Sequence, residues 1–219
     1  MARSGAIAGI LSIILFLLPI GGLLIATPGG EDSNAVYAAK ISENSDQIRT
    51  LIGAYLAIVG VLAFGWFVTV VVRRVEAAGA PAELAAAARA LLVVVTAVLI
   101  VGLAALAAIP MSAQFGKDAD VLPADVGRIA WIGLALIFLA APLVHAALVA
   151  VISVGVMRSQ ALPVWTAWVG FLVAALMLFG LAWAPLLSLP VWIICLSIML
   201  WLRPQLIVAS PRTVTMAAA

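Results

Sequence analysis

The chain has 219 residues, of which 67% are hydrophobic, and its 11 Lys and Arg oppose 9 Asp and Glu for a formal net charge of +2. A soluble domain of this length carries roughly 55 charged residues, so this composition excludes an ordinary water-soluble protein, and we expect lipid to cover the apolar exterior. One Cys and one His exclude an intrachain disulfide and a metal site held by two histidines of one chain.

Apolar stretches of about 20 residues predict helices that cross a hydrocarbon layer roughly 30 Å thick. The fold class expected is all-α, a polytopic transmembrane bundle of six helices, within one domain over residues 1–209. The predicted spans cover residues 5–26, 50–72, 86–109, 129–157, 163–184 and 186–202. The last two come from one apolar stretch that Pro185 and Pro190 are expected to break. Residues 190–202 alone rise only about 20 Å, so five crossings and a re-entrant end is the alternative.

Basic residues indicate the orientation, because cytoplasmic loops carry an excess of Lys and Arg. Six crossings with a cytoplasmic N-terminus place both termini in the cytoplasm, and residues 210–219 then form a loose cytoplasmic tail. Lys40, Arg49, Lys117 and Arg128 would lie outside. Seven arginines would lie inside: Arg3, Arg73, Arg74, Arg89, Arg158, Arg203 and Arg212.

Tryptophan gives a second indication, since indole rings prefer the boundary between headgroups and hydrocarbon. Six of the seven Trp residues fit the six-crossing arrangement, with Trp66 as the exception. Trp192 is among the residues expected at the outer boundary.

Both predicted outer loops end in an acid followed three residues later by an arginine. Asp46 and Arg49 precede the second span, and Asp125 and Arg128 precede the fourth. This spacing puts each pair on one helix face, with the acid at the positive end of the helix dipole. We favour the interpretation in which the acid caps the helix and the arginine reaches lipid phosphate. The functional alternative is an outward-facing charged pair that gates a cavity.

His145 is the only ionisable side chain well inside a predicted span, and such residues are functional candidates in membranes. Pro142 lies three residues earlier and predicts a kink, because the carbonyl of Phe138 loses its amide partner there. We favour a structural role in which a neutral imidazole bonds a hydroxyl or a freed carbonyl of another helix. A proton-sensitive gate or a ligand contact is the alternative.

Small residues recur at helical spacing on the first two spans. Glycine or another small side chain at positions i, i+4 and i+7 lets helix backbones approach closely. Packing within the chain is the favoured interpretation, with a dimer contact as the alternative. The two stripes are Gly5, Gly9 and Ser12 on the first span and Gly53, Ala57 and Gly60 on the second.

Several activities lack their usual residues. A proton or sodium pump would require an Asp or Glu within the membrane. No Asp or Glu lies inside a predicted span. Neither a phosphate-binding glycine loop nor a Gly-x-Ser-x-Gly motif is present. The small, dispersed net charge is unlike that of a nucleic-acid-binding surface. We therefore expect no enzyme activity, no cofactor and no nucleic-acid partner.

Three short segments carry a resemblance to known proteins. They are residues 44–49 before the second span, Arg73 and Arg74 at its end, and residues 157–165 between the fourth and fifth spans. In these segments and in hydropathy the chain resembles an uncharacterised family of small bacterial polytopic membrane proteins. The resemblance implies multi-pass placement in the bacterial cytoplasmic (inner) membrane and implies no activity.

Two functions remain open from the sequence. The first is a non-catalytic membrane component that assembles with itself or with other membrane subunits in the lipid bilayer. The second is a small channel or transporter for a neutral or weakly polar solute. In that case His145 and the Pro142 kink would line the passage, with Arg49 or Arg128 at its outer mouth.

Overall fold

The computed structural model describes residues 2–26, 44–115, 129–179 and 184–203, and these ranges contain helices and short turns without a strand. The all-α prediction is therefore confirmed. Asp125, Arg128 and residues 210–219 lie outside the described residues. Six helices follow in chain order: α1 (Ala2–Ala26), α2 (Asn44–Ala77), α3 (Ala82–Phe115), α4 (Ile129–Ser159), α5 (Val164–Phe179) and α6 (Ala184–Leu202).

Four of these helices, α1 to α4, are long and apolar enough to cross a membrane. The helices α5 and α6 are shorter, with 16 and 19 residues. At 1.5 Å per residue they rise about 24 and 28 Å, slightly less than the roughly 30 Å of a hydrocarbon layer. The chain thus has the helices of an integral membrane protein, and its last two are the shortest.

The six helices form a closed ring. Each helix packs against the next along the chain, α6 returns to pack against α1, and α2 also contacts α4. The guanidinium of Arg3 lies 5.7 Å from the centre of the Trp201 ring, which places the start of α1 beside the end of α6. The helix α1 therefore begins, and the helix α6 ends, at the same end of the bundle.

Two helices differ from their predicted spans at prolines. The helix α3 continues past Pro110 to Phe115, whereas its end was expected at residue 109. The helix α5 ends at Phe179, and α6 starts at Ala184 with both Pro185 and Pro190 inside it. Pro185 falls in the first turn of α6, where no intrahelical amide bond is lost. Neither proline therefore ends a helix.

The end of α2 has a defined geometry. Gly79 has a positive φ of 92°, its amide donates to Glu76 O, and the Ala80 amide donates to Val75 O. This pair of bonds is a Schellman motif, which closes a helix through a left-handed glycine. The chain then turns directly into α3.

Large apolar side chains cover the outside of the bundle as well as its core. Leu18, Tyr55, Val93 and Leu187 are each more than two-thirds exposed, as lipid-facing residues would be. Trp192, in contrast, is only 1% exposed and packs edge-on against Phe67 with ring centres 6.1 Å apart. The ring of Trp192 therefore fills the core between α6 and α2 and does not face lipid.

The arginine Arg74 joins three parts of the bundle at one end. Its Nε donates to Ala161 O at 3.4 Å, and its Nη1 donates to Arg203 O at 2.5 Å. The first acceptor lies in the turn between α4 and α5, and the second lies just after α6. Only 8% of Arg74 is exposed, so these carbonyls have a fixed donor at a place where little water reaches them.

Replacing Gly9 by Ala should destabilise the bundle. A Cβ there would lie 2.8 Å from Phe67 Cδ2 and 3.2 Å from Ile193 Cγ2, and it would also meet Ser197 Oγ. Overpacking of this kind costs about 1–3 kcal/mol, so the midpoint of thermal unfolding in detergent should fall. Gly65→Ala is the control, because nothing lies within 4 Å of its Cβ position. Equal midpoints for the two variants would contradict the close packing of α1 on α2 and α6.

Replacing Arg74 by Gln should destabilise the same end of the bundle. The shorter side chain cannot reach both carbonyls, and a buried acceptor without its donor costs about 1–3 kcal/mol. Thermal unfolding in detergent measures the loss, with Arg73→Gln as the control, since Arg73 is exposed. Equal losses of thermal stability in Arg74→Gln and Arg73→Gln would refute the anchoring role of Arg74.

Candidate functional site

The helix α4 contains one irregular segment, a π-helical turn over Leu136–Ala140. The amide of Ala141 donates to Leu136 O, five residues back. Pro142 follows in the first turn of the next α-helical stretch, Ala141–Ser159. In a regular helix the proline ring would clash with the carbonyl four residues earlier. The wider π turn relieves this clash. The distortion predicted from Pro142 is present as a π turn directly before it.

A cavity of about 70 Å³ lies beside this turn and is lined by residues from all six helices. Its α4 wall consists of Ile137, Phe138, Ala141, Pro142 and His145. The remaining lining residues are Ser12, Ile13, Phe16 and Leu17 of α1, Gly60, Val61 and Phe64 of α2, Leu99 of α3, Met177 of α5, and Leu189, Pro190 and Ile193 of α6. Ser12 and His145 are the two lining residues with polar side chains, so the cavity is almost entirely apolar.

Six of the residues that line the cavity are half-exposed, and they belong to α1, α4 and α6. The lining residues that keep partial exposure are Ile13, Phe16 and Leu17 on α1, Phe138 on α4, and Leu189 and Pro190 on α6. The lining residues from α2, α3 and α5 are buried. All six half-exposed residues are apolar, so a molecule that enters here crosses an apolar rim.

The His145 imidazole is held by its own helix and by α2. Nδ1 lies 3.0 Å from Ala141 O, and the ring packs against Phe64 with centres 5.3 Å apart. A carbonyl oxygen can only accept, so Nδ1 carries the hydrogen and Nε2 of the neutral ring is an acceptor. His145 is 5% exposed, and no described residue donates to Nε2. The expected bond to a group on another helix is therefore replaced by a bond within α4.

Ser12 reaches the same cavity from α1. Its hydroxyl donates to Gly9 O at 2.7 Å, and the residue is 3% exposed. The hydroxyl proton is used in that bond, and the oxygen keeps lone pairs for a further donor. Ser12 appeared in the sequence as part of a packing stripe, and the cavity at this position was not predicted. A serine and a histidine on different helices give no signal of a shared site in one sequence.

The other residues of the two small-residue stripes lie at contacts within the chain. A Cβ on Gly5 would lie 2.7 Å from Val70 of α2, and one on Gly60 would lie 3.0 Å from the backbone of Leu15 in α1. Gly53 and Ala57 are buried on α2. These residues therefore bring α1 and α2 close together inside one molecule.

The charged pairs predicted at the outer loops lie only partly within the described residues. Arg49 is exposed in the second turn of α2, Asp46 belongs to the first turn, and the Asp46 side chain lies outside what the structure describes. Asp125 and Arg128 lie outside the described residues. Arg49 is not among the residues that line the cavity.

Two features of the interior were not anticipated from the sequence. One is the row of rings from Trp192 through Phe67 and Phe64 to His145, which runs from α6 across α2 to α4. The other is the buried hydroxyl of Ser197, which has no hydrogen-bond partner within the described ranges. Aromatic residues three apart on α2 could indicate a buried stripe, but the partner helix cannot be read from spacing.

The chemistry available to this cavity is recognition through hydrogen bonds and apolar contact. Over the described ranges, no group of three His, Cys, Asp or Glu side chains lies close enough to hold a metal ion. Comparisons of the chain with protein-family models, with curated proteins and with solved structures gave no match.

Proposed function

We propose that the protein is a non-catalytic, multi-pass integral membrane protein that acts as an accessory or self-assembling component of a bacterial cytoplasmic membrane. The observation that carries the proposal is the pairing of an apolar exterior with an interior whose polar groups bond mainly to their own helices. Ser153 and Ser159, for example, donate to the carbonyls of Val149 and Gly155 four residues earlier. Such an interior supports packing and offers no row of polar groups across the bundle.

The proposal includes six crossings with both termini in the cytoplasm. Arg74 and Arg203 meet through a hydrogen bond, Arg3 lies on Trp201, and Arg89 pairs with Glu76. Most described arginines thus gather at one end of the bundle, and the positive-inside rule assigns this end to the cytoplasm. The even number of described helices supports the same arrangement.

Assembly requires a surface other than the stripes on α1 and α2, which are used within the chain. The outward face of α3 carries small side chains over most of its length. Small side chains let membrane helices approach closely, so this is the face at which we direct the test of assembly. Its exposed residues include Ala86, Ala90, Val93, Ala97, Val101, Ala104 and Ala108.

A second candidate function, passage of a neutral or weakly polar solute, is favoured by the cavity itself. The cavity reaches His145, and both Pro142 and Pro190 lie on its wall. Passage requires a water-filled route to the imidazole, whereas the lining is apolar. Access of water to His145 therefore discriminates between the two functions.

Native mass spectrometry in a mild detergent tests the assembly proposal. We expect either more than one copy of the chain or a co-purifying membrane subunit. Ala97→Trp should reduce the assembled fraction because a large ring on α3 prevents close approach. Leu172→Trp is the control, since Leu172 is 61% exposed on α5. A lone monomer without a co-purifying subunit would refute the accessory or self-assembling role.

Acylation of imidazole by diethyl pyrocarbonate tests the water-filled route. In a Gln160→His variant, the introduced imidazole at the exposed position 160 should react at least tenfold faster than His145, which is 5% exposed behind an apolar rim. Peptide mass spectrometry separates the two sites, and detergent unfolding should bring the two rates together. Similar rates in the folded protein would instead favour solute passage.

A further inference from the structure

The cavity presents two hydrogen-bond acceptors and no described side-chain donor. The carbonyl of Ala141 holds the His145 hydrogen on Nδ1, so Nε2 is left with a lone pair. Ser12 commits its hydroxyl proton to Gly9 O and likewise keeps only acceptor capacity. Both residues are more than nine-tenths buried on the cavity wall. A buried acceptor without a donor costs free energy, so this pair favours an occupant that can donate.

The walls limit the rest of the occupant to apolar chemistry. Apart from Ser12 and His145, every lining residue has an apolar side chain or is a glycine. A charged group would lose its hydration there without an opposite charge to replace it. The occupant therefore carries a neutral donor, and the simplest such group is a hydroxyl.

The size of the cavity and its half-exposed lining residues indicate how such a molecule would sit. About 10–15 Å³ of such space holds one water molecule, so a cavity of about 70 Å³ holds a hydroxyl group and a few carbon atoms. The rest of the molecule would lie against half-exposed lining residues such as Phe16 of α1, Phe138 of α4 and Leu189 of α6. These half-exposed apolar residues match a hydrocarbon chain that enters from the lipid.

We propose that this cavity is a binding site for a membrane-soluble alcohol, whose hydroxyl donates to His145 Nε2 or Ser12 Oγ and whose hydrocarbon chain leaves between α1, α4 and α6. The site goes beyond the role of an accessory component, and it would exist whether or not the chain assembles with other subunits. A site of this kind gives the bundle a way to sense or hold a neutral lipid.

Photolabelling with a matched pair of probes tests the proposal. The probes are a decanol with a diazirine near its hydroxyl end and the methyl ether of the same compound, which lacks the donor. Labelling of residues 12–17 and 137–145 is measured by peptide mass spectrometry and divided by labelling of residues 164–172 of α5, which do not line the cavity. This ratio corrects for uptake into the micelle. We expect this ratio to be about tenfold higher for the alcohol, as the loss of one buried hydrogen bond implies.

Three variants show which groups cause the preference. Ser12→Ala and His145→Phe each remove one acceptor. In His145→Phe the phenyl ring keeps the packing against Phe64. At least one of these two variants should lower the alcohol-to-ether ratio several-fold. Ser153→Ala is the matched control, because Ser153 is a buried serine with a similar bond to Val149 O and lies outside the cavity lining. It should leave the ratio unchanged.

Two results would overturn the site. The first is equal labelling by alcohol and ether in the unmodified protein, which is also the result expected if the cavity holds only water. The second is a preference that survives in both Ser12→Ala and His145→Phe. If His145→Phe does not fold, the alcohol-to-ether ratio of the unmodified protein decides the outcome. Assembly, measured separately by native mass, changes neither result.

Discussion

The missing amide hydrogen of Pro142 is the constraint on which the interior of this bundle depends. It interrupts the bonding of α4, and the π turn at Leu136–Ala140 accommodates the interruption without ending the helix. The turn brings Ile137 and Phe138 to the cavity together with His145, about two turns further along. A regular helix would present a different set of side chains here. The solute-passage function and the proposed alcohol site both depend on this local departure.

Polar side chains inside the bundle mostly bond to the backbone of their own helix. Ser12, Thr69 and Ser153 donate to carbonyls three or four residues earlier, and His145 bonds to Ala141 O in the same way. These bonds satisfy the donors without linking helices. The helices are joined by close apolar contact instead, as at Gly9 and Gly60. This separation explains how a bundle can contain buried polar groups and still lack a polar route across it.

One end of the bundle is organised differently, by charge and by hydrogen bonds between helices. Arg74 donates to carbonyls of the α4–α5 turn and of the residue after α6, and Arg89 pairs with Glu76 across the α2–α3 turn. Interhelical polar contacts of this kind are the exception elsewhere in the described helices. The central cavity therefore lies in a region of apolar packing, away from the polar end that fixes the helix termini.

Composition and the length of apolar stretches determined the helical class, the approximate helices and the unusual position of His145, because these follow from local properties of the chain. The glycine spacing on α1 and α2 likewise indicated close packing. Only the tertiary structure decided that Trp192 is buried, that Ser12 and His145 share a cavity, and that Arg74 reaches two distant carbonyls. Each of these depends on which helix lies opposite, and helical periodicity reports the face of a residue but not its partner.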